Sequence, residues 1–364
     1  MTSKVNHYAW NGIVLSVRHL DLHALKLLLQ SHLSDGLVTV VGSGLSCAEG
    51  LPGMAELANH LSLSVADNLS VSDADCWAAL LPVIATQGLE SALLTVPPTP
   101  GLEAAIVERT ADFISLREKA VILEVFNKTR TLRFTRLLSH MIKPAGGIPV
   151  ITTNYDRLIE IAAEEAGLGA DTMFVGHFAG SLNEKESRLS FCKDVALRSK
   201  KPQLLYRPRV KVFKPHGSLD WYHRMDQPVR YDGDLSLPRL IITPGLNKFR
   251  NGYASPFDRH RDRANNAIEQ ATRFLIIGYG FNDDHLETHL TPCIRRGVPT
   301  LLLTHTLSKT ALELARECPA ILAVQAAQIA GLNGSLVIHR GMERFFPGVA
   351  LWELNSFVSE VLEP

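Results

Sequence analysis

The chain has 364 residues, 46% of them hydrophobic and 20% charged, with 37 basic residues set against 37 acidic ones. That length passes the roughly 250–300 residues at which a single core stops growing, and the composition is that of a folded globular protein without low complexity or repeats. The even charge gives no overall pull toward nucleic acid or anionic membrane, no apolar run nears the roughly 18 residues of a membrane span, and MTSKVNHYAWNG lacks the basic-then-apolar order of a signal peptide, so a cytoplasmic protein is expected.

Residues 1–36 read as an N-terminal helical segment, with leucines at helical spacing over Val17–Ser31. Leu37–Val41, LVTVV, is an unbroken apolar and β-branched run, as expected of a strand covered on both faces. It leads into a turn of small residues, GSGLSCAEGLPG, in which Gly42, Ser43, Gly44, Ser46, Gly50 and Pro52 let a ligand come close to the backbone. A helix starting near Gly53 would aim unpaired N–H groups into that gap, which suits a pyrophosphate and so a dinucleotide. The spacing is not G-x-G-x-x-G, because Gly50 follows Gly44 by six residues, and an ordinary dehydrogenase is disfavoured. A nucleophile elbow at Ser46 would need glycine where Ala48 stands, and a plain strand-to-helix turn remains the bland alternative.

From about residue 54 to 146 the periodicity is helical, in stretches such as GLEAAIVERTADFISLREKAVILEVF, which predicts an inserted helical subdomain. A strand is expected at Ile148–Thr153, then a helix ending at Gly167, a strand near Thr172–Val175, and a mobile loop or second insertion over Gly176–Lys201. Strands follow at Arg209–Lys214 and Leu240–Thr243, a helix across Pro256–Ala271, a buried strand in RFLIIGYG, a helix in DHLETHLTPCIRRG and a strand in PTLLLTH. Residues 306–364 add a late strand, SLVIH, and a capping helix. Alternation of strand and helix predicts an α/β fold with a doubly wound parallel sheet.

A parallel sheet sets the carboxyl ends of its strands along one edge, where ligands bind. Three groups fall there: Thr153, Asn154 and Asp156; His216 with Gly217 and Ser218; and Gly278, Gly280, Asn282 and Asp283. Asn154 and Asp156 can also be read as caps of the helix that they open. His216 lies between proline and glycine on a turn, away from any apolar helix face, which favours a general base over a core histidine.

These residues resemble the sirtuins. GSGLSCAEGLPG is similar to their glycine loop, ITTNYDRL to their threonine-x-asparagine-x-aspartate motif, KPHGS to their histidine-glycine motif and IIGYGFND to their late glycine turn, in the family's order across Val41 to Asp283. The resemblance implies a Rossmann-like catalytic domain over residues 37–305 with NAD consumed as substrate. It places Asn154 and His216 beside the nicotinamide ribose, Asp156 in support, and the Gly42–Pro52 loop around the pyrophosphate.

The departures bear on subclass. The five cysteines, Cys47, Cys76, Cys192, Cys293 and Cys318, are odd in number and scattered, which excludes a disulfide framework and the two C-x-x-C pairs of the deacylase zinc module, so no zinc is expected. Gly53-Met54-Ala55 stands where the deacylases carry aspartate-phenylalanine-arginine, and Thr153 where they carry glutamine. No short strand to pair with a peptide is expected after His216. The chain is instead similar to bacterial sirtuin-like NADases of antiviral defence, which release nicotinamide and ADP-ribose. That resemblance implies a homo-oligomer and a separate ring-shaped translocase ATPase as partner, with nucleic acid reached only indirectly. The rivals are NAD-dependent deacylation or ADP-ribosyl transfer, and a non-catalytic module that binds NAD or ADP-ribose. The basic run Leu197–Lys211 reads as a solvated loop, and His285, Glu287 and His289 as an exposed helix face without the H-E-x-x-H order of a metal site.

Overall fold

The computed structural model describes residues 20–67, 69–198, 201–243 and 254–363. Residues 1–19, with the opening of the expected N-terminal helix, lie outside the described residues, as do Ser199 and Lys200 of the basic run.

The strands are β1 (Leu37–Val41), β2 (Ile148–Thr152), β3 (Gly169–Asp171), β4 (Phe174–Val175), β5 (Gly180–Leu182), β6 (Cys192–Arg198), β7 (Lys201–Tyr206) and β8 (Arg209–Phe213), then β9 (Gly217–Arg224), β10 (Gln227–Arg230), β11 (Arg239–Ile241), β12 (Arg273–Ile277), β13 (Thr300–Thr304), β14 (Ile321–Ile329), β15 (Leu332–His339) and β16 (Met342–Pro347). Nine of them form the central sheet in the order β16-β15-β14-β13-β12-β1-β2-β8-β3. From β14 to β3 every pairing is parallel, and β15 and β16 add an antiparallel edge. The fold is thus a doubly wound α/β sheet. From β1 the chain builds outward first through β2 and later, on the other side, through β12, so the order reverses at the β1/β12 boundary. An open α/β sheet has its ligand crevice at such a reversal, beyond the carboxyl ends.

Period-2 alternation in these apolar strands sends neighbouring side chains to opposite layers. Leu37, Val41, Val150, Leu275 and Ile277 join the core on one face, while Val38, Val40, Ile151, Phe274 and Ile276 join the core on the other. The first face is covered by the helices Leu22–Ser31, Arg133–His140 and Leu158–Glu165 and by the C-terminal turns from Leu354. The second is covered by Phe257–Gln270, Asp284–Arg295 and Lys309–Glu317.

Between β1 and β2 the chain is helical at Ser43–Ala48, Met54–Ser64, Val71–Gln87, Leu89–Thr95, Pro100–Phe126 and Arg133–His140. This stretch does not act as one body. Leu57, Leu61, Trp77, Leu80, Leu93 and Ile106 make a separate small core, whereas Val121 and Val125, farther along the 27-residue helix, pack with Phe134 and Leu138 onto the sheet. That long helix therefore couples the small core to the main body.

Three expectations are corrected. Of the two alternatives for the polar stretch from Gly176, a mobile loop or a second insertion, the loop is set aside: the stretch is ordered into β5, a helix at Glu184–Ser190 and the β6–β7 hairpin. The segment after His216 is a strand, β9, set between β11 and β10 in a five-stranded antiparallel sheet. Its polar residues hid it: Ser218 and Asp220 are buried, Asp220 by pairing with Arg230 at 2.7 Å, so the polar side of the strand is not a solvent side. Finally, β14 and β16 flank the SLVIH strand, where only one strand was expected.

His260, wholly buried, accepts from the Lys214 backbone N–H at 3.1 Å and lies 4.4 Å from Trp221 between ring centroids. Burial, and next the Lys214 ammonium, push it down to about 3. In the unfolded chain imidazole titrates near 6.5. The unfolded state therefore binds the extra proton between those values, and this contribution is complete above about pH 6.5 and lost as pH falls toward 3, a loss of about 5 kcal/mol. Urea midpoints measured from pH 7 to pH 4 should fall less steeply in His260→Gln than in the wild type.

Candidate active site

The loops that follow β1, β2, β8 and β12 converge at the reversal. Two of them touch through their backbones: Gly42 N–H donates to Ile277 O at 2.9 Å and Gly44 N–H to Gly278 O at 3.0 Å. A Cβ on Gly42 would stand 2.4 Å from Gly278 O, one on Gly44 2.7 Å from Gly278 Cα, and Gly278 has φ +58°. The glycine pattern is thus explained by loop-on-loop packing, and Gly44 and Gly278 do not line the cleft. Gly278→Ala is expected to lower stability by at least about 1–2 kcal/mol, since strain and collision act together, as a shift in melting temperature would record.

The first helix after β1 is Ser43–Ala48, not the one expected near Gly53. Two N–H groups of its opening turn are already engaged, Gly44 with Gly278 O and Leu45 with Gly42 O at 3.2 Å. The next helix, Met54–Ser64, has its N-cap Gly53 N–H donating to Glu56 Oε2 at 3.3 Å. At both termini, then, part of the N–H groups are engaged within the protein, while Gly42, Ser43, Ser46, Pro52 and Gly53 line the cleft. Gly50 has φ +91° and serves the turn that ends Ser43–Ala48, where Leu51 N–H reaches back to Ser46 O at 3.0 Å.

A cleft of about 210 Å³ lies beside these loops, walled by Gly42, Ser43, Ser46, Pro52, Thr153, Asn154, Asp156, His216, Gly280 and Asp283. Asn154 and His216 therefore share one cavity, although β2 and β8 deliver them. Gly217 and Ser218 stay out of it. Gly217 has φ +90°, and a Cβ there would lie 2.1 Å from Leu240 O, while Ser218 is wholly buried and donates to Tyr155 O at 3.3 Å. Sequence reasoning missed Glu90, Ile114, Tyr155 and Tyr279, which also line the cleft. Glu90 and Ile114 come from the helical stretch far from any strand end, and no local signal marks them.

Asn154 Nδ2 donates to Gly42 O at 2.9 Å and to Ser46 Oγ at 2.7 Å. Gly42 O can only accept, which sets the amide orientation and engages both N–H donors, so Oδ1 is the atom with accepting capacity for a ligand. Ser46 Oγ in turn donates to Asp156 Oδ2 at 2.6 Å, and Asp156 Oδ1 accepts from Leu158 N–H at 3.2 Å. Asp156 thus holds Asn154 through Ser46 and also caps the helix Leu158–Glu165. Burial raises its carboxyl, against the opposing pull of Lys214 and the Ser46 hydroxyl.

Two buried charges hold this loop from behind. Lys214, wholly buried, reaches Glu160 Oε1 at 3.0 Å and Ser218 Oγ at 3.2 Å, and donates to the Asp156 carbonyl. Glu118, on the long helix, takes Arg157 in a fork, with Nη2 to Oε2 at 2.7 Å and Nε to Oε1 at 3.3 Å.

His216 Nε2 lies 2.5 Å from Asp283 Oδ2, with side-chain exposures of 12% and 6%. Asp283, expected to contact the dinucleotide, lines the cleft and lies beside the histidine. Glu90, Asp156 and Asp283 line the cleft, and among the described residues around it there is no lysine or arginine. No group of three or more His, Cys, Asp or Glu is gathered among the described residues as a metal centre would need, and His289 pairs with Glu269 at 2.9 Å. None of the described helices is long and apolar enough to cross a membrane.

Residues 149–303 match the family model of the SIR2-like domain. That segment holds Asn154, His216 and Asp283 but not the β1 turn. A search among curated proteins gives no significant match. Among solved structures, the chain is similar to a sirtuin studied for the structural basis of substrate affinity, with 15% identity, a TM-score of 0.38, and coverage of 79% of this chain and 89% of that one. It is also similar to a Sir2 homologue solved as a complex with NAD, at 15% identity and a TM-score of 0.38, covering 80% of this chain and 86% of that one.

Proposed function

We propose that the chain hydrolyses NAD, taken as substrate, to nicotinamide and ADP-ribose, without zinc. The observation that carries this reading is the meeting of Asn154 and His216 on one cleft at the carboxyl ends of parallel strands. The match of residues 149–303 to the SIR2-like domain supports it.

Cleavage breaks the bond between the ribose C1′ and the pyridinium nitrogen. The electron pair goes to that nitrogen, nicotinamide leaves neutral, and positive charge gathers on the sugar. Glu90 and the other wall carboxylates face that charge favourably. Asn154 Oδ1 accepts from a ribose hydroxyl or from the water. His216 takes the proton of the water as its oxygen bonds to C1′, then releases it to solvent. Water as acceptor is favoured by β9: both of its edges are filled, by β10 and β11, so that strand has no edge for an acylated peptide.

Incubation of the chain with NAD, followed by chromatography, tests this. Free nicotinamide with free ADP-ribose is the expected result. ADP-ribose attached to protein or to an acyl group would favour transfer or deacylation, and binding without turnover a signalling module.

The proposal extends to the cell. An enzyme that drains NAD is toxic unless restrained, and an effector of antiviral defence, cytoplasmic and homo-oligomeric, held by a ring-shaped translocase ATPase that alone meets nucleic acid, fits such an activity. Size-exclusion mass with and without a candidate ATPase checks the assembly.

A further inference from the structure

We infer that Asp283 is the positioning residue for His216, selecting the tautomer with the proton on Nε2 and leaving Nδ1 as the nitrogen that takes the proton from water. This rests on the hydrolysis proposed above for its chemical purpose, though not for its geometry.

Asp283 is held on three sides. Its N–H donates to Glu287 Oε1 at 2.9 Å, and its Oδ1 accepts from the N–H groups of His285 and Leu286, both at 3.1 Å. That is a reciprocal capping arrangement at the start of Asp284–Arg295, with aspartate as N-cap and glutamate four residues on. One carboxylate oxygen is therefore bound to the helix, and the other, Oδ2, is buried 2.5 Å from His216 Nε2. The turn before it is strained: Phe281 has φ +54°, a left-handed conformation that costs a bulky residue about 1–2 kcal/mol, and its ring is buried 5.2 Å from Tyr279. A carboxylate accepts and does not donate, so the imidazole nitrogen facing it is the one that carries hydrogen. The lone pair is thereby assigned to Nδ1. Once Nδ1 has taken the proton, the same carboxylate stabilises the imidazolium, as the orienting carboxylate of a hydrolase triad does.

The test is Asp283→Asn. Asparagine keeps an oxygen for the helix cap and is itself a good N-cap, so the fold should survive, as its melting temperature will record. Its amide can meet either ring nitrogen state, and the tautomer is no longer imposed. In ¹⁵N NMR of imidazole-labelled protein at pH 8, His216 of the wild type should show hydrogen on Nε2 and a bare Nδ1, whereas the variant should show a mixture or the reverse. With NAD, kcat should fall by about 10²-fold or more while the KM stays within about twofold. A wild-type His216 with hydrogen on Nδ1, or a variant with unchanged tautomer and unchanged kcat, overturns the inference. Absence of NAD turnover in the wild type would sink the proposed reaction instead, and the NMR result would still decide the positioning role.

Discussion

Replacing His216 with alanine is expected to lower nicotinamide release by about 10²–10⁴-fold, the range that a positioned proton acceptor supplies. The reasoning is local. His216 is delivered to the cleft by the end of β8, lies beside Asp283 and belongs to neither apolar core of the sheet, so its removal takes away the base without removing a core residue. Helix Asp284–Arg295 keeps its cap through Asp283 Oδ1. The cost falls on Asp283 Oδ2, which loses the imidazole although its side chain is only 6% exposed, about 3 kcal/mol. Turnover should therefore collapse while the melting temperature moves by a few degrees and NAD still binds. Undiminished release of nicotinamide from the variant would remove His216 from the chemistry.

A second large effect is expected behind the site. Lys214→Met would leave Glu160 as a buried carboxylate without its cation and would take the donor from the Asp156 carbonyl. Breaking a buried pair from one side costs about 3–5 kcal/mol, because the remaining charge is stranded in a poorly polarisable interior. Denaturant unfolding should register that loss. Turnover should fall as well, since the carbonyls that Lys214 binds belong to the loop presenting Asn154. The double variant Lys214→Met, Glu160→Gln removes both charges and should recover part of the stability. A single variant as stable as the wild type would mean that Glu160 finds other compensation, and the pinning role of Lys214 would fail.

Much of the arrangement was legible because it depends on short-range chemistry. LVTVV, IPVIT and RFLII declare buried parallel strands by unbroken apolar, largely β-branched runs, and a parallel sheet brings their carboxyl ends to one edge whatever the intervening chain does. That is why Asn154 and His216, 62 positions apart, were both assigned to one crevice and do line one cleft. The β9 strand was illegible for the opposite reason. Ser218 and Asp220 read as surface residues, yet inside the protein Lys214 donates to the Ser218 hydroxyl and Arg230 pairs with Asp220, and no alternation rule foresees a buried polar face whose partners come from elsewhere.

The residue types at the strand ends, the helical character of the stretch between β1 and β2, and the doubly wound layout follow from the order of amino acids, because propensity and periodicity act within a few residues. Tertiary structure alone decided that Gly42 and Gly278 serve each other, that Ser46 links Asn154 to Asp156, that Lys214 stands under the loop, and that Asp283 faces His216. Each of these is a contact between segments distant in the chain, set by how the packed layers bring donors and acceptors together. Nothing in the neighbouring residues encodes such a meeting.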